Sequence, residues 1–125
     1  MQKLLIATGN KGKFNEISSA FSGLPFELIF LGDLNLATGG LIEDGETFRE
    51  NAGKKARYFR EKTGLAVVAE DSGIIVEALK DALGVKTRRW GAGEKASDGE
   101  WLEYFLEKMK EEKNRKARFV CVACF

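Results

Sequence analysis

The chain of 125 residues contains no histidine, one proline and two cysteines. Histidine is the side chain that enzymes use most often for general acid–base catalysis. Without it, any hydrolytic chemistry must depend on carboxylates, lysine or a metal ion. Cys121 and Cys124 are too few for a structural zinc site, which normally needs four ligands. We therefore interpret them as small core residues of a protein from a reducing compartment.

The sequence also lacks long hydrophobic runs and a large charge of either sign. No apolar run approaches the ~20 residues that span a bilayer, and the amino terminus has no signal-peptide core. Twenty basic and nineteen acidic residues leave a net charge of +1, which argues against a general nucleic-acid or anionic-membrane binder. We expect a cytoplasmic protein that has neither nucleic acid nor a membrane as its partner.

Strand-like and helix-like hydrophobic patterns alternate along the chain, which predicts an α/β fold with a mixed twisted sheet flanked by helices. The length fits a single domain over residues 1–125. Strands are predicted at 4–8, 26–31, 65–69 and 119–125, and helices at 14–21, 47–64 and 97–109. The last strand is apolar throughout, which is typical of the middle of a sheet. We therefore expect the chain to be part of a longer fold.

A small polar turn, Thr8-Gly9-Asn10-Lys11-Gly12-Lys13, follows the first strand and precedes the first helix. The first N–H groups of a helix are unpaired within it, and its dipole favours an anion there. The turn lacks the pattern of a P-loop. It is consistent with a phosphate site and also with an ordinary capped turn.

Two acidic segments provide carboxylates. Glu70-Asp71-Ser72-Gly73 follows the apolar run 65–69, at what we predict to be the carboxyl end of a buried strand, where ligands bind in open α/β sheets. Its composition is also that of a common turn. Glu43-Asp44-Gly45-Glu46 precedes a helix, where acids also suit the dipole. Carboxylates from two segments could hold Mg²⁺ across substrate phosphates, which suits hydrolysis of a phosphoanhydride.

These segments match a known family. Thr8-x-Asn10-x-x-Lys13, then Glu43-Asp44-Gly45-x-Thr47-Phe48-x-Glu50-Asn51-Ala52, then Glu70-Asp71-Ser72-Gly73-Ile74 resemble the inosine/xanthosine triphosphate pyrophosphatases. The similarity continues through Trp90-x-Ala92-Gly93-Glu94 to Ala117-Arg118-Phe119. It implies the fold of that family and Mg²⁺-dependent hydrolysis of non-standard purine nucleoside triphosphates (dITP, ITP, XTP) to the monophosphate and pyrophosphate. It also implies a homodimer.

The resemblance implies a role for individual residues. Asp71 matches the catalytic carboxylate, which accepts a proton and binds Mg²⁺. Glu43 is similar to a second metal-associated acid, and Glu70 is assigned a supporting role at the metal. Ser72 and Lys55 match substrate contacts, and the triphosphate would bind the turn formed by Thr8, Gly9, Asn10, Lys11, Gly12 and Lys13.

The family's purine-binding segments, a Phe-Gly-Tyr-Asp segment and a late Ser-His-Arg segment, are not found in this sequence. We therefore expect the phosphate and metal half of the fold, with impaired activity and no base selectivity. The alternative is a catalytically silent module that binds phosphates or associates with itself. Nucleic-acid binding through Lys86, Arg88, Arg89 and Lys95, with Trp90 stacking on a base, is disfavoured by the net charge.

Overall fold

The computed structural model of the protein describes residues 1–36, 40–41, 44–79, 83–89, 93 and 95–125. Within these residues it contains three α-helices and one four-stranded sheet. In chain order the elements are β1 (Gln2–Ile6), α1 (Lys11–Ala20), β2 (Phe26–Phe30), α2 (Phe48–Thr63), β3 (Ala66–Val76), α3 (Asp98–Met109) and β4 (Ala117–Cys124). The predicted α/β class is confirmed.

The sheet has the strand order β2-β1-β3-β4. β1 pairs in parallel with both of its neighbours, so that Ile6 lies beside Phe30 on one side and Val68 on the other. The carboxyl ends of β1 and β2, and the middle of the longer β3, therefore meet along one edge. Ligands of open α/β sheets tend to bind beyond such an edge.

The described residues group into two compact units, Met1–Asp71 with Val122–Phe125, and Ser72–Cys121. The single domain expected over residues 1–125 stays a prediction.

In the first unit, the sheet buries a different hydrophobic cluster on each face. Alternate residues of a strand point to opposite faces, and Leu4 and Ile6 accordingly pack with Val68 and with Phe14 and Ile17 of α1. The other face packs against α2 through residues that include Leu5, Ala7, Ala56, Phe59, Val67 and Ala69. α1 and α2 therefore pack on opposite faces of the sheet, against the buried residues of β1 and β3.

In the second unit, Val76, Leu83 and Met109 form the core, with Trp101 and Phe105 of α3 packed against them. The indole of Trp101 donates a hydrogen bond to the carbonyl of Thr87 at 2.8 Å. α3 begins with a capping box, in which Ser97 and Glu100 each accept from the backbone of the other.

Three sequence predictions need correction. The predicted third strand ended at Ala69, whereas β3 continues through Glu70-Asp71-Ser72-Gly73 to Val76, so the expected turn is extended strand. α1 begins at Lys11 rather than Phe14, because Asn10 caps it.

The third correction concerns the last strand. β4 forms one end of the strand order in the described sheet, and Phe119 is 85% exposed. Cys121 is exposed and Cys124 is half-buried, so the interpretation of both as core residues is wrong for Cys121. From Phe119 onwards, exposed and half-buried residues alternate along β4, so one face of the strand, which carries Phe119 and Cys121, is exposed.

Candidate functional site

The turn at residues 8–13 is shaped by two side chains that accept backbone hydrogen bonds. Thr8 is buried at the end of β1, and its Oγ1 accepts from the N–H of Asn10 at 3.1 Å. Asn10 is the N-cap of α1, and its Oδ1 accepts from the N–H of Lys13 at 3.1 Å. The sequence predicted these side chains as donors to a ligand. In the structure their oxygens fix the backbone, while the hydroxyl and amide hydrogens remain donors by chemistry.

The start of α1 has the properties of an anion-binding site. A helix leaves its first N–H groups without intrahelical partners, and here the caps account for those of Asn10 and Lys13 but not those of Lys11 and Gly12. The first turn of α1 contains no acidic residue. A Cβ added to Gly9 would meet nothing within 4 Å, so the space beside the turn is open. Backbone donors, the helix dipole and open space together favour a phosphate.

Lys11 and Lys13 give this helix start a positive charge. The ammonium of Lys11 lies 4.4 Å from the ring centroid of Phe30 and 4.8 Å from that of Phe14. Such cation–π contacts limit where the ammonium can move. Lys13 reaches across to β3, where its Nζ lies 2.6 Å from Oε1 of Glu70.

Two lysines that are predicted to bind phosphate contact β3 at Glu70. Its carboxylate pairs with Lys13, and its backbone carbonyl accepts a hydrogen bond from Nζ of Lys55 at 3.0 Å. Lys13 belongs to α1 and Lys55 to α2, so the two lysines approach one residue from two helices. The structure therefore brings Lys13, Lys55 and Glu70 together at one edge of the sheet.

Asp71 lies next to Glu70, but adjacent side chains of a strand point to opposite faces. Val68 belongs to the cluster under α1, whereas Val67 and Ala69 belong to the cluster under α2. Continued alternation puts Glu70 on the α1 face and Asp71 on the α2 face. The Oδ2 atom of Asp71 is buried.

The remaining predicted site residues are placed as follows. Ser72 follows Asp71 in β3 and begins the second unit, and its substrate contact stays a prediction. Glu43 lies outside the described residues. So do Trp90 and the side chains of Arg88 and Arg89, which belong to the disfavoured hypothesis of nucleic-acid binding.

The acidic segment that follows Glu43 is held by side chains of α2. Asn51 is 1% exposed, and its Oδ1 accepts from the N–H of Gly45 at 2.8 Å. Glu50 accepts from the N–H of Glu46 at 2.9 Å. Thr47 caps α2, since its side chain accepts from the N–H of Glu50. The sequence assigned no role to Asn51, because the burial that makes this amide an anchor is visible only in the structure.

Lys54 also contacts this segment. Its ammonium donates a hydrogen bond to the carboxylate of Asp44. That hydrogen bond, together with the charge of the ammonium, lowers the pKa of Asp44 below its ordinary value. The segment 44–46 is thus tied to α2 through Glu50, Asn51 and Lys54.

The donor set suits a hard metal ion. Within the described part of the chain, no cluster of three or more histidine, cysteine, aspartate or glutamate side chains could hold a metal. Mg²⁺ does not need such a cluster, because it usually binds one or two carboxylates together with substrate phosphates and water. The carboxylate of Asp71, whose Oδ2 atom is buried, is an oxygen ligand of the kind that Mg²⁺ binds in this way. In the residues that the structure describes, no helix is long and apolar enough to cross a membrane.

Comparisons with known proteins agree with this geometry. The model of the Ham1 family matches residues 4–125. A dITP/XTP pyrophosphatase from Vibrio parahaemolyticus is 44% identical over 98% of this chain, and one from Haemophilus influenzae is 41% identical over 99%. This chain spans 60% and 63% of the length of these two relatives.

Solved structures give the same result. A HAM1 protein from Coxiella burnetii superposes with a TM-score of 0.85 at 34% identity, over 98% of this chain and 62% of its own. A nucleoside-triphosphatase, also named a dITP/XTP pyrophosphatase, from Mycobacterium abscessus gives a TM-score of 0.74 at 30% identity over 98% of this chain and 71% of its own. Family model, curated relatives and solved structures all cover nearly the whole chain, which therefore belongs to the Ham1 family.

Proposed function

We propose that the chain provides the phosphate-binding and metal-binding part of a pyrophosphatase. The proposed reaction is Mg²⁺-dependent hydrolysis of dITP, ITP or XTP to the monophosphate and pyrophosphate. The relatives from Vibrio parahaemolyticus and Haemophilus influenzae are named dITP/XTP pyrophosphatases. The observation that carries the proposal is the contact of Lys13 with Glu70, because it joins the polar turn at α1 to the acidic part of β3.

The proposed phosphate site uses the open start of α1. The N–H groups of Lys11 and Gly12 and the side chains of Thr8, Asn10 and Lys13 would bind phosphate oxygens. Lys55, whose ammonium contacts the carbonyl of Glu70, would add a second positive charge from α2. Fixed donors and ammonium groups favour the charge that develops on a polyphosphate during hydrolysis.

Asp71 is the proposed catalytic carboxylate. Because the chain has no histidine, a carboxylate is the available group of suitable basicity to accept the proton of an attacking water. Asp71, with Glu43, would hold Mg²⁺. When bound, the ion neutralises phosphate charge and lowers the pKa of coordinated water. A homodimer and a cytoplasmic location belong to the same proposal, as family expectations.

The test is release of pyrophosphate from dITP in the presence of Mg²⁺. We expect wild-type protein to release it, and we expect Asp71→Asn to be slower by about 10²- to 10⁴-fold because the proton acceptor is lost. Glu27→Gln is the matched control, since it removes an exposed carboxylate from β2, level with Lys3. Equal rates for wild type and Asp71→Asn would refute the assignment of Asp71.

A silent phosphate-binding module is the second candidate, because the chain spans about 60% of the length of its curated relatives. Calorimetry with dITP and Mg²⁺ separates the two. Binding together with pyrophosphate release supports the enzyme, whereas binding without release supports the silent module.

A further inference from the structure

Among the predicted metal ligands, Glu70 is contacted at both its side chain and its main chain. Its side chain is 11% exposed, and its Oε1 lies 2.6 Å from Nζ of Lys13, whose side chain is 42% exposed. The two residues are 57 positions apart in the sequence. A second ammonium, from Lys55, binds the backbone carbonyl of Glu70. The position of Glu70 is therefore fixed at both its side chain and its main chain.

A largely buried carboxylate is costly unless it is paired, and Lys13 supplies the pair here. The alternation of β3 directs the carboxylate of Glu70 to the α1 face, away from the face of Asp71. A single ion bound by both side chains would require that alternation to break. The geometry thus separates the roles of the two neighbouring carboxylates.

The pairing also changes what Lys13 can do. A lysine ammonium sits on a flexible four-carbon stem and carries three donors. In the contact with Glu70, the ammonium of Lys13 acts as the donor. Lys13 belongs to the first turn of α1, as do Lys11 and Gly12 with their backbone N–H groups. Because the ion pair already holds the ammonium, part of the ordering cost of the side chain is met before a ligand arrives.

Building on the proposed function, we infer that Glu70 is a positioning residue rather than a metal ligand: its carboxylate holds the ammonium of Lys13 at the start of α1 for a polyphosphate anion. Asp71 and Glu43 keep the proposed metal role. The two roles of Glu70 make opposite predictions. If Glu70 positions Lys13, its effect on polyphosphate binding requires Lys13 and does not require Mg²⁺. If Glu70 is a metal ligand, its effect requires Mg²⁺ and does not require Lys13.

A double-mutant cycle distinguishes these roles. The variants are Glu70→Gln, Lys13→Met and the double variant, and the measurement is calorimetric binding of inorganic tripolyphosphate, with and without Mg²⁺. We expect Glu70→Gln to weaken binding about five- to tenfold without Mg²⁺, since it removes one charge-assisted hydrogen bond. In the Lys13→Met background the same change should have no further effect. Glu70→Asp, which keeps the charge, should retain part of the affinity, and Glu27→Gln should bind as wild type does.

Two outcomes overturn the inference. One is a Glu70→Gln effect of the same size in the Lys13→Met background, and the other is an effect that appears only with Mg²⁺. Failure of wild-type protein to bind tripolyphosphate in either condition would instead overturn the phosphate site of the proposed function, and this inference with it. If wild-type protein binds tripolyphosphate but the cycle gives one of these two outcomes, only the inference about Glu70 is overturned and the proposed phosphate site stands.

An NMR measurement on the protein without any ligand completes the test. The NMR signal of the Lys13 ammonium, identified by its loss in Lys13→Met, should be observable in wild type because the ion pair slows its exchange with water. We expect this signal to broaden in Glu70→Gln and to persist in Glu27→Gln. Urea unfolding of each variant checks that it is folded. A Lys13 signal unchanged by Glu70→Gln in folded protein would contradict the inference.

Discussion

The starts of α1 and α2 are built from similar residues and have opposite properties. Each helix follows a polar segment that contains glycine, and each has a capping side chain, Asn10 or Thr47. At α2 the preceding backbone is occupied by the helix's own side chains, since Asn51 accepts from Gly45 and Glu50 accepts from Glu46. At α1 the first turn contains no acid, and the added charges are lysines.

The difference shows which helix start can bind an anion. Carboxylates already balance the dipole at α2, so a phosphate there would meet negative charge. The start of α1 has the dipole, two backbone donors and two lysines, with open space at Gly9. Sequence patterns alone make both segments candidates for ligand binding, and the hydrogen bonds separate them.

The largest effect expected from this comparison concerns the two glycines. A Cβ at Gly45 would lie 2.6 Å from Oδ1 of Asn51 and 2.8 Å from Cβ of Glu50. Gly45→Ala should therefore lower the free energy of unfolding by about 3 kcal/mol, because it forces apart a closely packed segment. The Cβ added by Gly9→Ala would lie in open space, so this change should alter the free energy of unfolding by less than about 0.5 kcal/mol. Urea unfolding followed by circular dichroism measures both, and similar losses for the two variants would contradict the contrast.

A smaller effect is expected for the two asparagines. Asn51→Ala removes the acceptor of a buried N–H and should cost about 2 kcal/mol. Asn10→Ala removes an exposed cap and should cost about 1 kcal/mol. Binding of tripolyphosphate should change in the opposite order, because only Asn10 belongs to the proposed phosphate site. The same unfolding experiment and calorimetry give both values, and a larger affinity loss for Asn51→Ala would argue against that site.

Much of the fold could be predicted from the sequence, because local signals agree with the packing. The apolar run 65–69 predicts a buried strand, Ser97 and Glu100 predict the start of α3, and Gly64 predicts the end of α2, where it adopts φ of 70°. Each of these signals depends on neighbours in sequence. Tertiary contacts are not needed to recognise them.

Predictions failed where distant contacts decide the conformation. Glu70-Asp71-Ser72-Gly73 has the composition of a turn, yet it continues β3. Within it, the ion pair between Lys13 and Glu70 joins residues 57 positions apart. The extended conformation gives Glu70 and Asp71 opposite orientations, which the sequence alone does not show. The assignment of both residues as metal ligands stays a prediction. The anchoring of Gly45 by Asn51 was missed for another reason, since an asparagine within a helix is usually assigned to the surface.

The smallest expected effect is a pH dependence at the start of α2. Lys54 lowers the pKa of Asp44 in the folded protein, first through their hydrogen bond and then through its charge. A carboxyl whose pKa is lower in the folded state adds stability above its ordinary pKa, and that stability is lost as the pH falls through the lowered value. The side chain of Asp44 is 63% exposed, so solvent and salt screen the contribution. The difference in unfolding free energy between wild type and Asp44→Asn should therefore be small at neutral pH and should vanish in acid.

Unfolding curves measured over a pH series at low salt test this expectation. Asp33→Asn, which changes another exposed aspartate at the end of the segment Leu31–Asp33, is the control. High salt should reduce the Asp44→Asn difference at neutral pH, because the pair is exposed. A wild type that is less stable than Asp44→Asn at neutral pH, by a margin that closes in acid, would mean that Asp44 destabilises the folded state when charged. The charge of the acidic segment would then not be stabilised by α2, and the contrast between the two helix starts would fail at this point.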